Sequence, residues 1–297
     1  MSEVQLTDDL LNRRKREITA YLDFLKVAVE RRAMLIAKDG ELRFPLTMEL
    51  THTLKANLVL LLYSAMEATL VQLLDEMHDA IGANCSSADA LNSQLLRVVL
   101  KTVKKDTKST VLASASPLHT SLFRYWMDDW KSRTSGKDKR VDGISGSVDS
   151  WVFYEQLKKF GVVAQTHNDR PPAHLTDAAL QKVKINRNEL AHGEKSFTDL
   201  GRDLAVATLE ADAEAVFDTL RKIAAEVDNY LQGRRLNRPG FRGGGCVYQR
   251  RMAYRRQKKG FPSCYIPVHQ IVRSHTYIDF VSAQIMCVNT VKDHKTA

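Results

Sequence analysis

The chain holds little cysteine for its length. Cys85, Cys246, Cys264 and Cys287 are the four among 297 residues, with no CxxC pair and no short regular spacing. They supply no disulfide framework, and reduced thiols in a cytosolic protein are the expectation. Cys246, Cys264, His269 and His275 follow a Cys-x17-Cys-x4-His-x5-His spacing that matches no common zinc pattern. Neither a metal nor a cofactor is therefore expected. A long uninterrupted apolar run is also missing. The best candidate, Leu58 to Leu74, is broken by Ser64, Glu67, Thr69 and Gln72 and falls short of a spanning length, which makes it a buried core helix rather than a membrane segment. The opening MSEVQLTDDL is polar and acidic where a secretory signal is basic and then apolar, so a cytoplasmic location is expected. No alternating strand pattern occurs before residue 232.

What is present is helical periodicity over a 44% hydrophobic composition, enough for a real core. Thr7 with Asp8 and Asp9 reads as a helix start, and Leu11, Ile18, Leu22, Leu25 and Val29 continue it to a stop before Asp39-Gly40. Leu54, Leu58, Leu61, Ala65, Thr69 and Leu73 step along a second helix reaching Ile81, with Gly82 and Asn84 as its stop. Leu91 to Val103 reads as helical, and LFRYWMDDW as an aromatic packing surface or short helix. Ser132 to Ser147 is polar and glycine-bearing, a surface loop. A short helix from about Val148 to Phe160 ends at Gly161, and Pro171-Pro172 interrupts the chain. Thr176 then reads as an N-cap for a helix with Leu180, Val183 and Leu190 inward, ended by Gly193. Ser196 and Asp199 form a capping box before a final helix carrying Leu209, Val216, Leu220, Ile223, Val227 and Tyr230. The body is all-α, a bundle of four main helices with additional short ones.

Charge divides the chain more sharply than periodicity does. Thirteen Lys or Arg and two acids lie between Gly233 and Ala297, so that segment carries +11 of a chain whose net charge is +9, and residues 1–232 are left at −2. A helical domain over 1–232 and a basic Gly/Arg-rich tail over 233–297, largely without stable structure, are the expected parts. Between Gly233 and Lys259 ten cations are interleaved with Phe241, Tyr248 and Tyr254. Cations for phosphates beside rings for bases suit a single-strand nucleic-acid tether, with Arg250, Arg251, Arg255 and Arg256 as its candidate contacts. The bland reading is a basic extension without a selected role.

Chemistry concentrates in the run Arg187-Asn188-Glu189-Leu190-Ala191-His192. At 100° per residue, Asn188 and His192 share a helical face and Arg187 lies on the adjacent one. A guanidinium holds phosphate oxygens bidentately and stabilises the negative charge that builds in a phosphorane-like transition state. An imidazole can accept or donate a proton near neutral pH. In RNA the 2′-hydroxyl is a ready nucleophile, so such a site needs no metal. Spacing alone is weak, since Arg170 and His174 in RPPAH form a near miss. Taken bare, the pattern also fits Arg187 solvated or paired with Glu189 and His192 capping the carbonyls of its helix end. Glu189 and Glu194 oppose a polyanion, and Lys182, Lys184 and Lys195 read as a solvated face.

The segments around the run carry a resemblance. KINRNELAHGEKSF before a long amphipathic helix, YSAMEA on a long apolar helix, and VDSWVFYEQLKKFG between them together resemble the HEPN superfamily, in its defence-associated MAE-like branch, over about residues 8–231. The resemblance implies an all-helical, metal-independent endoribonuclease, typically a homodimer whose two Arg and His sets face each other across a shared cleft. Carried onto this chain, it implies that Arg187 binds the scissile phosphate, His192 acts in proton transfer and Asn188 orients the pair. Glu67 is a supporting candidate, a carboxylate on an apolar helix that can meet Arg187 or His192, or stay on the helix's polar edge. Tyr63 and Ser64 lean to packing. RNA as substrate, toxin or antiviral defence as role, and an antitoxin or regulatory protein as further partner complete the expectation. The alternative is a non-catalytic HEPN module that binds RNA, a nucleotide or a partner protein.

Overall fold

A computed structural model describes residues 3–30, 34–36, 43–105, 118–135, 147–163 and 171–233. The chain divides into two units, Met1–Gly245 and Cys246–Ala297, and all described residues belong to the first. Eight α-helices occur among them: α1 Gln5–Glu30, α2 Met48–Asn84, α3 Ser93–Lys105, α4 Leu118–Ser135, α5 Ser150–Phe160, α6 Ala178–Ala191, α7 Phe197–Asp203 and α8 Val206–Gln232. The all-α expectation holds, with one addition. Met34–Ile36 and Arg43–Pro45 pair antiparallel as β1 and β2, Leu35 opposite Phe44. Three residues per strand are too few to show an alternating pattern, so the first helix ends at Glu30 and not near Asp39.

α2 is the axis of the bundle, with α1, α6, α7 and α8 packed around it and α4 against its C-terminal part. Its 37 residues are long and apolar enough to cross a membrane, more than the segment Leu58–Leu74 alone suggests. Here the neighbouring helices cover it: Leu58, Leu62, Ala65, Met66, Leu70, Leu73, Leu74 and Met77 are fully buried. Its buried positions take in more than one stripe, so the single face read from periodicity is too narrow. Leu61, assigned to that stripe, is instead exposed. α2 also runs through Gly82 to Asn84, because a glycine there lets the Met127 methyl of α4 approach closely.

The ends of the helices explain several differences in their bounds. A distant carboxylate caps α1. Glu76, deep on α2, accepts the backbone N–H groups of Leu6 at 2.7 Å and Thr7 at 3.1 Å and the Thr7 hydroxyl at 2.5 Å. A carboxylate at a helix N-terminus satisfies orphan donors and suits the helix dipole. Burial of Glu76 raises its pKa against the opposing effect of these hydrogen bonds. Asp177, not Thr176, caps α6, accepting from Ala179 at 2.7 Å. The capping box at Ser196 and Asp199 is present, with Ser196 Oγ accepting from Asp199 N at 3.0 Å, but it opens the separate helix α7. α7 ends because buried Lys55 of α2 donates to the Leu204 carbonyl at 2.7 Å, after which α8 begins. Gly201 makes this junction possible: a Cβ there would lie 1.8 Å from the His52 carbonyl oxygen.

The aromatic cluster is the helix α4, which runs to Ser135 and so takes in the start of the expected loop; residues 136–146 lie outside the described residues. Trp130 stacks on His78 of α2 at 3.9 Å and donates its indole N–H to Asp75 at 2.8 Å. Tyr230 of α8 donates to the Phe160 carbonyl at 2.8 Å, holding the end of α5 that Gly161 terminates at φ 80°.

Candidate active site

Arg187, Asn188 and His192 occupy the last turn of α6, where local chemistry fixes how the chain leaves the helix. Gly193 takes φ 73°, Glu194 N–H bonds to the Glu189 carbonyl at 2.8 Å and Gly193 N–H to the Leu190 carbonyl at 3.3 Å. This is a Schellman ending, and a residue with a Cβ would be strained at Gly193. His192 is the C-cap residue, its backbone N–H bonded to the Asn188 carbonyl at 2.9 Å. Its ring is exposed, with no partner among the described residues.

Arg187 is half-buried. Its guanidinium lies over the Tyr63 ring at 4.7 Å and donates to Asn188 Oδ1 at 3.2 Å. A cation this close to an aromatic face is attracted by the ring quadrupole and held in orientation. Arg187 makes no ion pair among the described residues, with Glu189 or with any other acid. The nearby lysines do. Lys182 pairs with Asp212 at 2.6 Å, Lys184 with Asp149 at 2.5 Å and Lys195 with Glu189 at 2.9 Å. Each meets an acid brought to it by α8, by the start of α5 or by the Schellman turn, while the Lys182 and Lys195 side chains keep 38% and 40% of their surface in solvent.

The floor of the site is the segment Ser147–Asp149, which runs along α6. Asn188 Nδ2 reaches Ser147 Oγ at 3.5 Å, and Val148 N–H donates to the Tyr63 hydroxyl oxygen at 3.0 Å. Asp149 caps α5 through Oδ1, accepting from Val152 at 2.9 Å, while Oδ2 receives Lys184. YSAMEA, VDSWVFYEQLKKFG and RNELAH therefore converge on one junction of α2, α5 and α6. Tyr63 is buried, and burial raises its pKa; Glu67 and Asp149 push the same way, while the Val148 hydrogen bond and Arg187 oppose it. The phenol stays neutral beneath the guanidinium.

Glu67 sits one turn beyond Tyr63 on α2, half-buried, and makes no ion pair with Arg187 or His192. It shares with Arg187 only the neighbourhood of the Tyr63 phenol. Arg250, Arg251, Arg255 and Arg256 lie outside the described residues. Tyr63, Ser147 and the Asp149–Lys184 pair escape sequence reasoning, because only the packing of α5 and α6 on α2 brings them to Arg187. Tyr63 opens YSAMEA, Asp149 lies in VDSWVFYEQLKKFG and Lys184 opens KINRNELAHGEKSF, whereas Ser147 lies outside all three segments.

The arrangement gives one chain a guanidinium without an ion pair among the described residues and an exposed imidazole five residues apart. Along a helix that separation is about 7.5 Å, with the two side chains about 140° apart around the axis. A family model described as MAE_28990-like HEPN matches residues 2–236. No curated protein and no solved structure matches the chain.

Proposed function

The chain belongs to the MAE_28990-like HEPN family, and on that premise we propose that it is a metal-independent endoribonuclease acting as a homodimer. The observation that carries the reading is the state of Arg187: unpaired among the described residues, laid over Tyr63 and tied to Asn188. A guanidinium held this way is preorganised for charge that develops on a phosphate, and little of it needs to move as the charge builds. Arg187 would take the scissile phosphate oxygens. The substrate's own 2′-hydroxyl would attack, and His192 would move the proton. Asn188, bridged between Arg187 and Ser147, would set the guanidinium's direction. The basic tail with Arg250, Arg251, Arg255 and Arg256 would tether the RNA, and a toxin or antiviral role in the cytoplasm, held in check by an antitoxin or regulatory protein, fits an enzyme of this kind.

A second reading, a non-catalytic module that binds RNA, a nucleotide or a partner protein, draws on the pairing of Lys182, Lys184 and Lys195, which leaves little free positive charge beside Arg187. Growth separates the two. Overexpression of the full chain should arrest cells, and Arg187→Ala or His192→Ala should abolish the arrest with the protein still made. A module predicts no arrest, or an arrest that His192→Gln leaves intact. Light scattering should give a dimer at micromolar concentration, and a strict monomer would remove the shared cleft.

A further inference from the structure

An open cavity of about 340 Å³ lies where the N-termini of α5 and α6 meet, lined by Asp149, Ser150, Trp151, Pro171, Asp177 and Gln181 among others. That volume is within the range of pockets that take small organic groups, roughly 300–1,000 Å³. Three features mark it. Trp151 keeps 47% of its surface exposed, although its ring leans on Tyr154 at 6.0 Å. Ser150 Oγ is buried without a hydrogen-bond partner among the described residues, and the Gln181 amide makes no hydrogen bond among them either. Both carboxylates are already committed: Asp149 to Val152 N–H and Lys184, Asp177 to Ala179 N–H.

The position is as telling as the lining. Ser147 meets Asn188, Asp149 meets Lys184, and Ser150 shares the cavity with Gln181 and Ala178, so the segment follows one face of α6 away from Arg187. From Asn188 back to Gln181 is seven residues, about 10 Å of helix. A strand whose phosphate sits at Arg187 can place a neighbouring base at that distance. Two carboxylates in the lining disfavour a phosphate there, whereas an exposed indole offers a stacking face and the exposed Gln181 amide offers hydrogen bonds to a base edge.

We propose that this cavity is a nucleobase subsite, in which Trp151 stacks on a base of the RNA strand that enters the Arg187 site and Gln181 contacts its edge. The inference rests on the ribonuclease reading for the direction of the strand, but its test does not depend on cleavage. Trp126, Trp130 and Trp151 are the only tryptophans in the chain, and the basic tail has none. The full chain is titrated with a 2′-O-methyl hexanucleotide, which lacks the attacking hydroxyl, and tryptophan emission is followed. Saturable quenching is expected, absent with an abasic hexamer of the same length. Trp151→Leu should abolish the quenching and weaken hexamer binding roughly ten-fold, with far-UV circular dichroism unchanged. Gln181→Ala should weaken binding while leaving the quenching at saturation.

Unchanged emission at saturating hexamer, or unaltered affinity in Trp151→Leu, would overturn the subsite. Equal quenching by AMP at the same concentration would assign the pocket to a free nucleotide and overturn the RNA reading of it. Emission that resists iodide in the free protein would place Trp151 inside a contact between copies and also overturn it. If quenching fails while RNA is still cleaved in an Arg187-dependent way, the subsite falls and the ribonuclease stands. Quenching in a protein that never cleaves RNA gives the converse.

Discussion

Tyr63 joins the fold to the site through two separable contacts, and substitution can part them. Its ring supports the Arg187 guanidinium at 4.7 Å, and its hydroxyl oxygen accepts the N–H of buried Val148 at 3.0 Å. Tyr63→Phe keeps the ring and leaves that N–H unsatisfied, a cost of about 1–3 kcal/mol. For a domain of this size the melting temperature should fall by roughly 2–10 °C. RNA cleavage below the melt should stay within about three-fold of the parent, because Arg187 keeps its support. Tyr63→Leu removes both contacts. Its melting temperature should fall further, since a buried aromatic is lost. Cleavage should also drop by roughly 2- to 30-fold, the rate equivalent of a cation–π contact of about 0.5–2 kcal/mol. Both variants are measured in one preparation, by circular dichroism melts and by EDTA-resistant cleavage of a labelled RNA at a temperature where each is folded. If Tyr63→Phe loses as much activity as Tyr63→Leu, or if Tyr63→Leu cleaves like the parent, the ring does not position Arg187 and the reasoning fails.

Further expectations concern the frame that holds the site. Gly201→Ala would press a Cβ against the His52 carbonyl at 1.8 Å, backbone against backbone; α7 must lift off α2, and a loss of about 3 kcal/mol or more should lower the melting temperature by around 10 °C, whereas a melt equal to the parent's would refute the close packing. Glu76→Ala strips the first turn of α1 of the carboxylate that caps it and should cost on the order of 3 kcal/mol in urea denaturation, with Glu76→Gln costing less; equal stability of the two would argue against a charge-assisted cap. His78 is buried among Trp126, Trp130 and Phe160, and burial pushes its pKa down to about 4 from 6.5. The unfolded chain then binds more protons, so the neutral ring's contribution is full above pH 6.5 and is lost as pH falls towards 4, about 3 kcal/mol in all. Comparing melts of the parent and His78→Phe cancels the carboxylates, and a difference that stays flat from pH 7.5 to 4 would contradict this.

Local chemistry was legible in the sequence; contacts between distant segments were not. Gly161 and Gly193 end α5 and α6 where their position after an apolar stripe says they should, and Ser196 with Asp199 opens a helix as its spacing requires. α1 starts earlier than Thr7 because its cap comes from Glu76, a residue that no local pattern connects to it. α7 and α8 read as one helix because the break depends on Lys55 reaching Leu204 across the bundle. The candidate site divides in the same way. Arg187, Asn188 and His192 lie within six residues and declare themselves, while the ring beneath Arg187 comes from α2 and the floor from the approach to α5. Lys184 looked like a solvated cation only because Asp149, 35 residues away, is invisible to helical periodicity.

RNA cleavage by Arg187 and His192 would proceed through the substrate's 2′-hydroxyl. It is tested most directly by the ends of the products made by purified full-length protein in EDTA. The account predicts 2′,3′-cyclic phosphate and 5′-hydroxyl ends, and no product from the Arg187→Ala/His192→Ala double variant. Products with 3′-hydroxyl ends, or cleavage that survives in the double variant, would contradict it.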